Sequence, residues 1–256
     1  MSPLGKLSTA TALALLLFGS APVAAAIAGG PAARPEEFRY SWKLRGGLAW
    51  IAGLRFPVSG LGSLRTSQQG DRLASELVIK GKNDDDGMYV YRSEIDGGDF
   101  KTLMTFHGYE WEGRRRNEQT RFDYGDGLAL IRKEREKGPV ETKTRALPAG
   151  DMRDVLTGIH FLRANAGKFR GSMETKIYSD GGVYPVVFRS LGTQRIRVGG
   201  SMMETETFDI TAAPGKNAKK WPGGVKVWLS ADAQRIPYRI EIRQSIASVQ
   251  MDLIAR

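Results

Sequence analysis

The chain has 256 residues, with 38 lysines and arginines against 28 aspartates and glutamates, a formal net charge of +10 and no cysteine. Without cysteine there are no disulfides, thiol nucleophiles or thiolate metal sites, and the lipoprotein route, which acylates a cysteine, is closed. So basic a chain inside a cell would point to nucleic acid, but here the basic residues are scattered over strand-like segments behind an export signal, so no nucleic-acid partner is expected.

The first thirty residues carry that signal: Lys6 in a short head, an apolar run from about Thr9 to Phe18, then Ala24, Ala25 and Ala26, which suit signal-peptidase cleavage. The run is shorter than the roughly 20 residues a membrane span needs. The expectation is a cleaved signal peptide over 1–26, a flexible leader over 27–37 and a single β-rich domain over 38–256. The mature protein is expected in the periplasm, where peripheral contact with the membrane is open to it.

From there the chain alternates with period two. In "RLASELVIKG", Leu73, Leu77 and Ile79 lie on one side and Arg72, Glu76 and Lys80 on the other. "GMYVYRSEI", "DFKTLMTFHGYEW", "QTRFDYG" and "LALIRKERE" continue the style, and such segments broken by Gly, Asp and Asn are the mark of antiparallel strands. "KNDDDG" at 82–87 reads as a turn that keeps charge in water, because the spaced oxygen ligands of a calcium loop are missing. His107 has Glu110 nearby, but a strand puts them on opposite sides. No metal site, cofactor or catalytic residue is expected, since neither histidine shows convergent partners and no nucleophile elbow is present. "RRR" at 114–116 and the mixed "IRKEREK" read either as a solvated strand face or as an attraction to an anionic envelope surface.

"PAGDMRDVLTGIHFLRANAGK" breaks the pattern. Met152, Val155, Leu156, Ile159 and Leu162 make one apolar stripe, which predicts a helix over about 151–166, capped by Asp151 and stopped at Gly167. Arg163 projects into the apolar face and needs a carboxylate; Asp232 is the expected partner, with Asp123 and Asp126 as alternatives. Phe161 lies on the reverse side, so it is either covered by protein or presented to a ligand. Farther on, "SDGGVY" at 179–184 is a hairpin turn. At the end, "GVKVWLS" and "RIPYRIEIR" form a second hairpin, with Ile236, Tyr238, Ile240 and Ile242 on one face and Trp228 on the wetter side of its own strand.

Three segments taken together, "DVLTGIHFLR", "GKFRGSMETKIYSDGGVYPVVFRSLGTQRIRV" and "VWLSADAQRIPYRIEI", resemble a bacterial exported family catalogued as domain of unknown function 3108. The matching positions are Asp154, Leu156, Phe161, Leu162 and Arg163, then Trp228, Leu229, Ser230, Asp232, Arg235 and Pro237. His160 stands where members often show a second aromatic residue, and a glycine of the last strand is missing. The resemblance implies export and architecture and no activity.

The expected fold is mostly β, a strongly curved antiparallel sheet or open β-barrel with the helix packed on its concave side. The expected role is that of a non-enzymatic binding protein for a lipid or other hydrophobic component of the cell envelope, with Phe161, His160, Trp228 and Tyr238 as contacts. Two alternatives stand beside it: an assembly or interaction factor with a packed interior and a basic, partner-binding face, and an envelope hydrolase. The oligomeric state is not legible.

Overall fold

Among the described residues, alternating side chains produce fifteen strands. The computed structural model describes residues 35–46, 57–82, 87–111, 113–168, 171–215, 221, 223–243 and 247–256. The expected signal peptide and residues 27–34 of the leader lie outside them, as does most of "KNDDDG". The stretch from Ala32 to Arg256 forms one compact unit.

The strands are β1 (Glu36–Arg45), β2 (Ser59–Gln69), β3 (Arg72–Gly81), β4 (Met88–Asp96), β5 (Thr102–Trp111), β6 (Arg114–Asp123), β7 (Leu128–Arg135) and β8 (Glu141–Ala146). Then come β9 (Met152–Arg153), helix α1 (Val155–Asn165), β10 (Ser172–Ser179), β11 (Gly182–Val198), β12 (Ser201–Ala212), β13 (Gly224–Ser230), β14 (Pro237–Arg243) and β15 (Ser248–Ala255). They form one sheet in the order β8-β7-β6-β5-β4-β3-β2-β1-β15-β14-β13-β12-β11-β10-β9. All neighbours are antiparallel except β9 with β10. The sheet does not close: β8 stands at one edge and the two-residue β9 at the other. The β-rich domain begins at Glu36, two residues inside the segment expected to be a leader.

The strands curve around α1. One side of the helix packs Leu156, Ile159 and Leu162 into the main core with Phe38, Tyr40, Phe188, Phe208, Val227 and Ile240. Burying such side chains contributes roughly 1.5–3 kcal/mol each, and this packing holds an isolated eleven-residue helix that would not persist in water. Close approach is needed at Gly60, where a Cβ would sit 1.9 Å from the Lys80 carbonyl oxygen and 2.7 Å from Trp42 Nε1. The Trp42 indole N–H donates to that same carbonyl at 2.6 Å. The predicted hairpin at 179–184 is present, its turn made by Asp180 and Gly181, both at positive φ, as a tight two-residue turn requires.

The helix begins later than expected. Asp154, not Asp151, is the N-cap, its Oδ1 accepting from the Thr157 N–H at 2.8 Å. Met152 and Arg153 are instead drawn into the parallel strand β9 beside Lys176 and Ile177. Sheet pairing of that dipeptide satisfies backbone groups that a longer helix would have left to solvent, so tertiary context overrides the local stripe.

Candidate functional site

The inner face of the sheet's first half carries a belt of hydroxyls. Thr66 pairs with Ser75, Ser75 with Ser93, Ser93 with Thr105, and Thr105 with Thr120 across five strands. The polar side of α1 docks on it. His160 Nε2 shares hydrogen bonds with Ser75 Oγ at 2.9 Å and Thr66 Oγ1 at 3.4 Å. Ser93 Oγ donates to Asp154 Oδ2, Thr102 Oγ1 donates to Thr157 Oγ1 at 2.9 Å, and Thr120 Oγ1 bonds Tyr178 Oη at 2.8 Å. Burial holds the His160 pKa down to about 3, helped by the Arg163 charge, so the ring is neutral. Burial also pushes the Asp154 carboxyl above its ordinary value, against the lowering effect of its hydrogen bonds from Ser93 and Thr157. Such burial is tolerable because the belt supplies partners for groups that would otherwise lose their hydration.

A second row, beside the belt, changes character as it crosses the sheet. In register it runs Phe38, Leu64, Leu77, Tyr91, His107, Glu118, Lys133 and Glu141. This row is apolar under β1–β3 and charged under β6–β8. His107 sits at the change. It stacks on Tyr91 with centroids 4.6 Å apart, its Nδ1 lies 3.8 Å from Asp180 Oδ1, and its buried Nε2 has no hydrogen-bond partner. Burial lowers its pKa, while Asp180 and Glu118 oppose that shift. Tyr91, His107, Asp154, Tyr178 and Asp180 line a cavity of about 60 Å³ against the start of α1. A second cavity of about 60 Å³ adjoins it near Trp221 and Arg243.

Beyond His107 lies the charged wall. Glu118 is held by Lys133 Nζ at 2.6 Å and by Arg116 at 3.4 Å. Arg116 pairs across with Arg135, Ile131 with Lys143, and Ala129 with Arg145. Because Thr120, Phe122, Ala129 and Ile131 are buried, strand alternation puts Arg116, Lys133, Arg135, Lys143 and Arg145 on this same concave side. The carboxylates on that wall are Glu118 and Glu141, so its balance is positive. Where β8 faces the β10–β11 turn, Arg145 donates to the Gly181 carbonyl. Beside that link is a cavity of about 280 Å³ lined mainly by Ala129, Ile131, Ala146, Leu147, Pro148 and Val183. This seam, with the charged wall next to it, is the candidate site.

The residues expected from the sequence fall elsewhere. Arg163 is an ion-pair anchor, but its partner is Glu36, not Asp232. Nη1 and Nη2 donate to the two Glu36 oxygens at 2.7 and 2.9 Å, and Nε donates to the Arg235 carbonyl at 3.0 Å. Asp232 instead accepts from Ser230 Oγ at 2.7 Å and from the Gln234 N–H at 3.0 Å, fixing its own turn. Phe161 is half-buried against protein: its ring meets Phe188 at 5.7 Å and Phe100 at 6.4 Å, with the Arg153 guanidinium 4.4 Å above it. His160 is interior. Trp228 is buried, its indole N–H donating to Gln194 Oε1 at 3.2 Å and its ring flanked by Lys226 and Arg239. Tyr238 is half-buried against the main core, at a bulge opposite Trp228 and Leu229. The structure therefore does not bring Phe161, His160, Trp228 and Tyr238 together as one contact surface.

Sequence reasoning missed the hydroxyl belt and Arg153. That arginine is buried, donating to Thr175 Oγ1 at 2.9 Å and to the Asp99 carbonyl at 3.0 Å. A signal for the belt was present: Ser75 shares the face of Leu77 and Ile79, and Thr120 the face of Phe122. A hydroxyl at a core-facing position needs an internal partner.

An open, curved, mostly antiparallel sheet wrapped on a helix makes this a barrel-like β protein. It is similar to the crystal structure of a beta-barrel-like protein of domain of unknown function DUF1849 from Brucella abortus, with a TM-score of 0.55 and 9% identity over 86% of this chain and 95% of that one. At that identity the likeness is one of fold. The chain belongs to the family described as "Protein of unknown function (DUF3108)", whose profile matches residues 38–254. No curated protein matches it. Among the described residues, no helix is long and apolar enough to cross a membrane.

Proposed function

We propose that this protein is an exported, non-enzymatic interaction factor of the cell envelope, a packed scaffold whose positively charged wall and seam meet a partner. The observation that carries the reading is the filled interior. The Phe161 side of the helix is occupied by Phe100, Phe188 and Arg153, and the His160 side by the hydroxyl belt. The two cavities against α1 hold about 60 Å³ each, well below the 300–1,000 Å³ typical of ligand pockets. Such small cavities support the packed alternative over the lipid carrier. Export rests on the N-terminal signal read from the sequence. The non-enzymatic reading is supported by His160, which is neutral, buried and engaged by Ser75.

The test combines two measurements on the full chain expressed in its host. A photoreactive residue at Arg135, on the charged wall, is expected to give a discrete cross-linked adduct, while native mass spectrometry of the purified protein is expected to show no stoichiometric lipid. A bound lipid in repeated preparations, without an adduct, refutes the interaction reading and returns the carrier.

A further inference from the structure

We propose that the open edge of β8 accepts an extended, acidic segment of a partner protein as an added strand, with one large apolar side chain of that segment in the seam cavity. This rests on the interaction reading and gives it a place and a partner chemistry.

Strand addition needs an edge that is regular and unpaired. β8 meets both conditions: it ends the sheet on one side, pairs with β7 from Glu141 to Ala146 and contains neither proline nor glycine. Thr142 and Thr144 favour extended backbone, and five of its six residues are exposed. An edge of this kind supplies main-chain hydrogen bonds for affinity and a side-chain pocket for specificity. The pocket is the seam cavity, about 280 Å³, open to solvent and lined by Ile131, Leu147, Pro148 and Val183 beside Arg145 and Tyr178. A dry cavity of roughly 150 Å³ already holds benzene, so one leucine or phenylalanine side chain has room.

Charge selects the occupant. Lys143 and Arg145 are on the edge strand itself, and Arg116, Lys133 and Arg135 are behind it on the same concave side. Edge lysines and arginines oppose pairing with like-charged strands: a second copy of β8 centred antiparallel would set Lys143 against Lys143 between two Glu141–Arg145 pairs and would bring two positive walls together. Glutamates or aspartates at alternate positions of an incoming strand would instead lie opposite these cations, a favourable cross-strand arrangement.

The probe is a blocked eight-residue peptide with valine and threonine on one face and, because the cations and the seam cavity share the concave side, glutamates with one terminal leucine on the other; its control is the same peptide with lysine for glutamate. Hydrogen exchange on the full chain is expected to show amides within 141–146 slowed at least tenfold by the acidic peptide and unchanged by the control. The exposed double variant Lys143→Glu/Arg145→Glu, folded by circular dichroism, is expected to lose at least tenfold in affinity. Equal binding of both peptides, no slowing within 141–146, or slowing confined to other strands overturns the proposal. Slowing of 141–146 on raising protein concentration alone identifies a second copy as the occupant and also overturns it. Slowing by phosphatidylglycerol vesicles, but not by the peptide, makes the occupant a lipid surface and overturns it in turn. If the Arg135 adduct forms while β8 exchange is unaffected by the peptide, this inference fails and the interaction reading stands.

Discussion

His160 is the group through which acid should loosen the helix from the sheet. Folded, its pKa is held to about 3 against an ordinary 6.5. A depressed folded value means that the contribution to stability is fully present above pH 6.5 and is lost as pH falls towards 3. At about 1.36 kcal/mol per pH unit, the two units from 6.5 to 4.5 correspond to about 2–3 kcal/mol. The charge on protonation would appear on a side chain only 5% exposed, with Arg163 on the next turn of α1 and no carboxylate bonded to its ring. The assay is urea denaturation followed by tryptophan fluorescence at pH 7 and pH 4.5, for the natural chain and for His160→Gln, whose amide reaches towards Ser75 and does not titrate. Carboxylates elsewhere titrate alike in both proteins and cancel in the difference. The natural chain should lose about 2–3 kcal/mol more than the variant between the two pH values. A difference that stays constant within 1 kcal/mol would refute the buried, neutral histidine and the docking built on it.

Other perturbations test other joints. Asp154 has the opposite sign: its raised folded pKa means the protonated form contributes below the ordinary 3.8 and that contribution is lost as pH rises through the folded value. Asp154→Asn should therefore gain on the natural chain as pH climbs from 4 towards 7 in the same denaturation assay, while Asp154→Ala should lose about 1–2 kcal/mol with the helix cap. Arg163→Ala strands the Glu36 carboxylate, and because the pair is partly exposed, at 13% and 27%, the loss should be about 2 kcal/mol, below the 3–5 kcal/mol of a fully buried pair. Asp232→Ala should leave the Arg163–Glu36 pair intact, so a double-mutant cycle of positions 163 and 232, which meet only through the turn carbonyl of Arg235, should give a smaller coupling than one of positions 163 and 36. Gly60→Ala should lower stability by more than about 2 kcal/mol, because its Cβ would meet the Lys80 carbonyl at 1.9 Å; an unchanged denaturation midpoint would show that the Trp42 contact is not as close as described.

Much of this molecule was legible in one dimension. Alternation in "RLASELVIKG" and its neighbours determined strands and their inward faces, because side-chain direction in a strand depends on position parity alone. The apolar stripe of "DVLTGIHFLR" determined a helix needing cover, and Arg163 among apolar residues determined that a carboxylate must be near. The partner's identity was a different matter. Glu36 and Asp232 are both carboxylates at a plausible distance in sequence, and only the path of β1 past the end of α1 chose Glu36. In the same way, a buried Ser75 is an ordinary strand residue until cross-strand register aligns it with Thr66, Ser93, Thr105 and Thr120 beneath His160 and Asp154. Phe161 looked available for a ligand because helical geometry put it opposite the stripe, and the wrap of the sheet put Phe188 and Phe100 there. The open edge at β8 and the charge gathered behind it follow from which strands end the sheet. Local pattern determines which groups must be buried or paired; long-range register and closure, set by the packing of the whole sheet, decide with what.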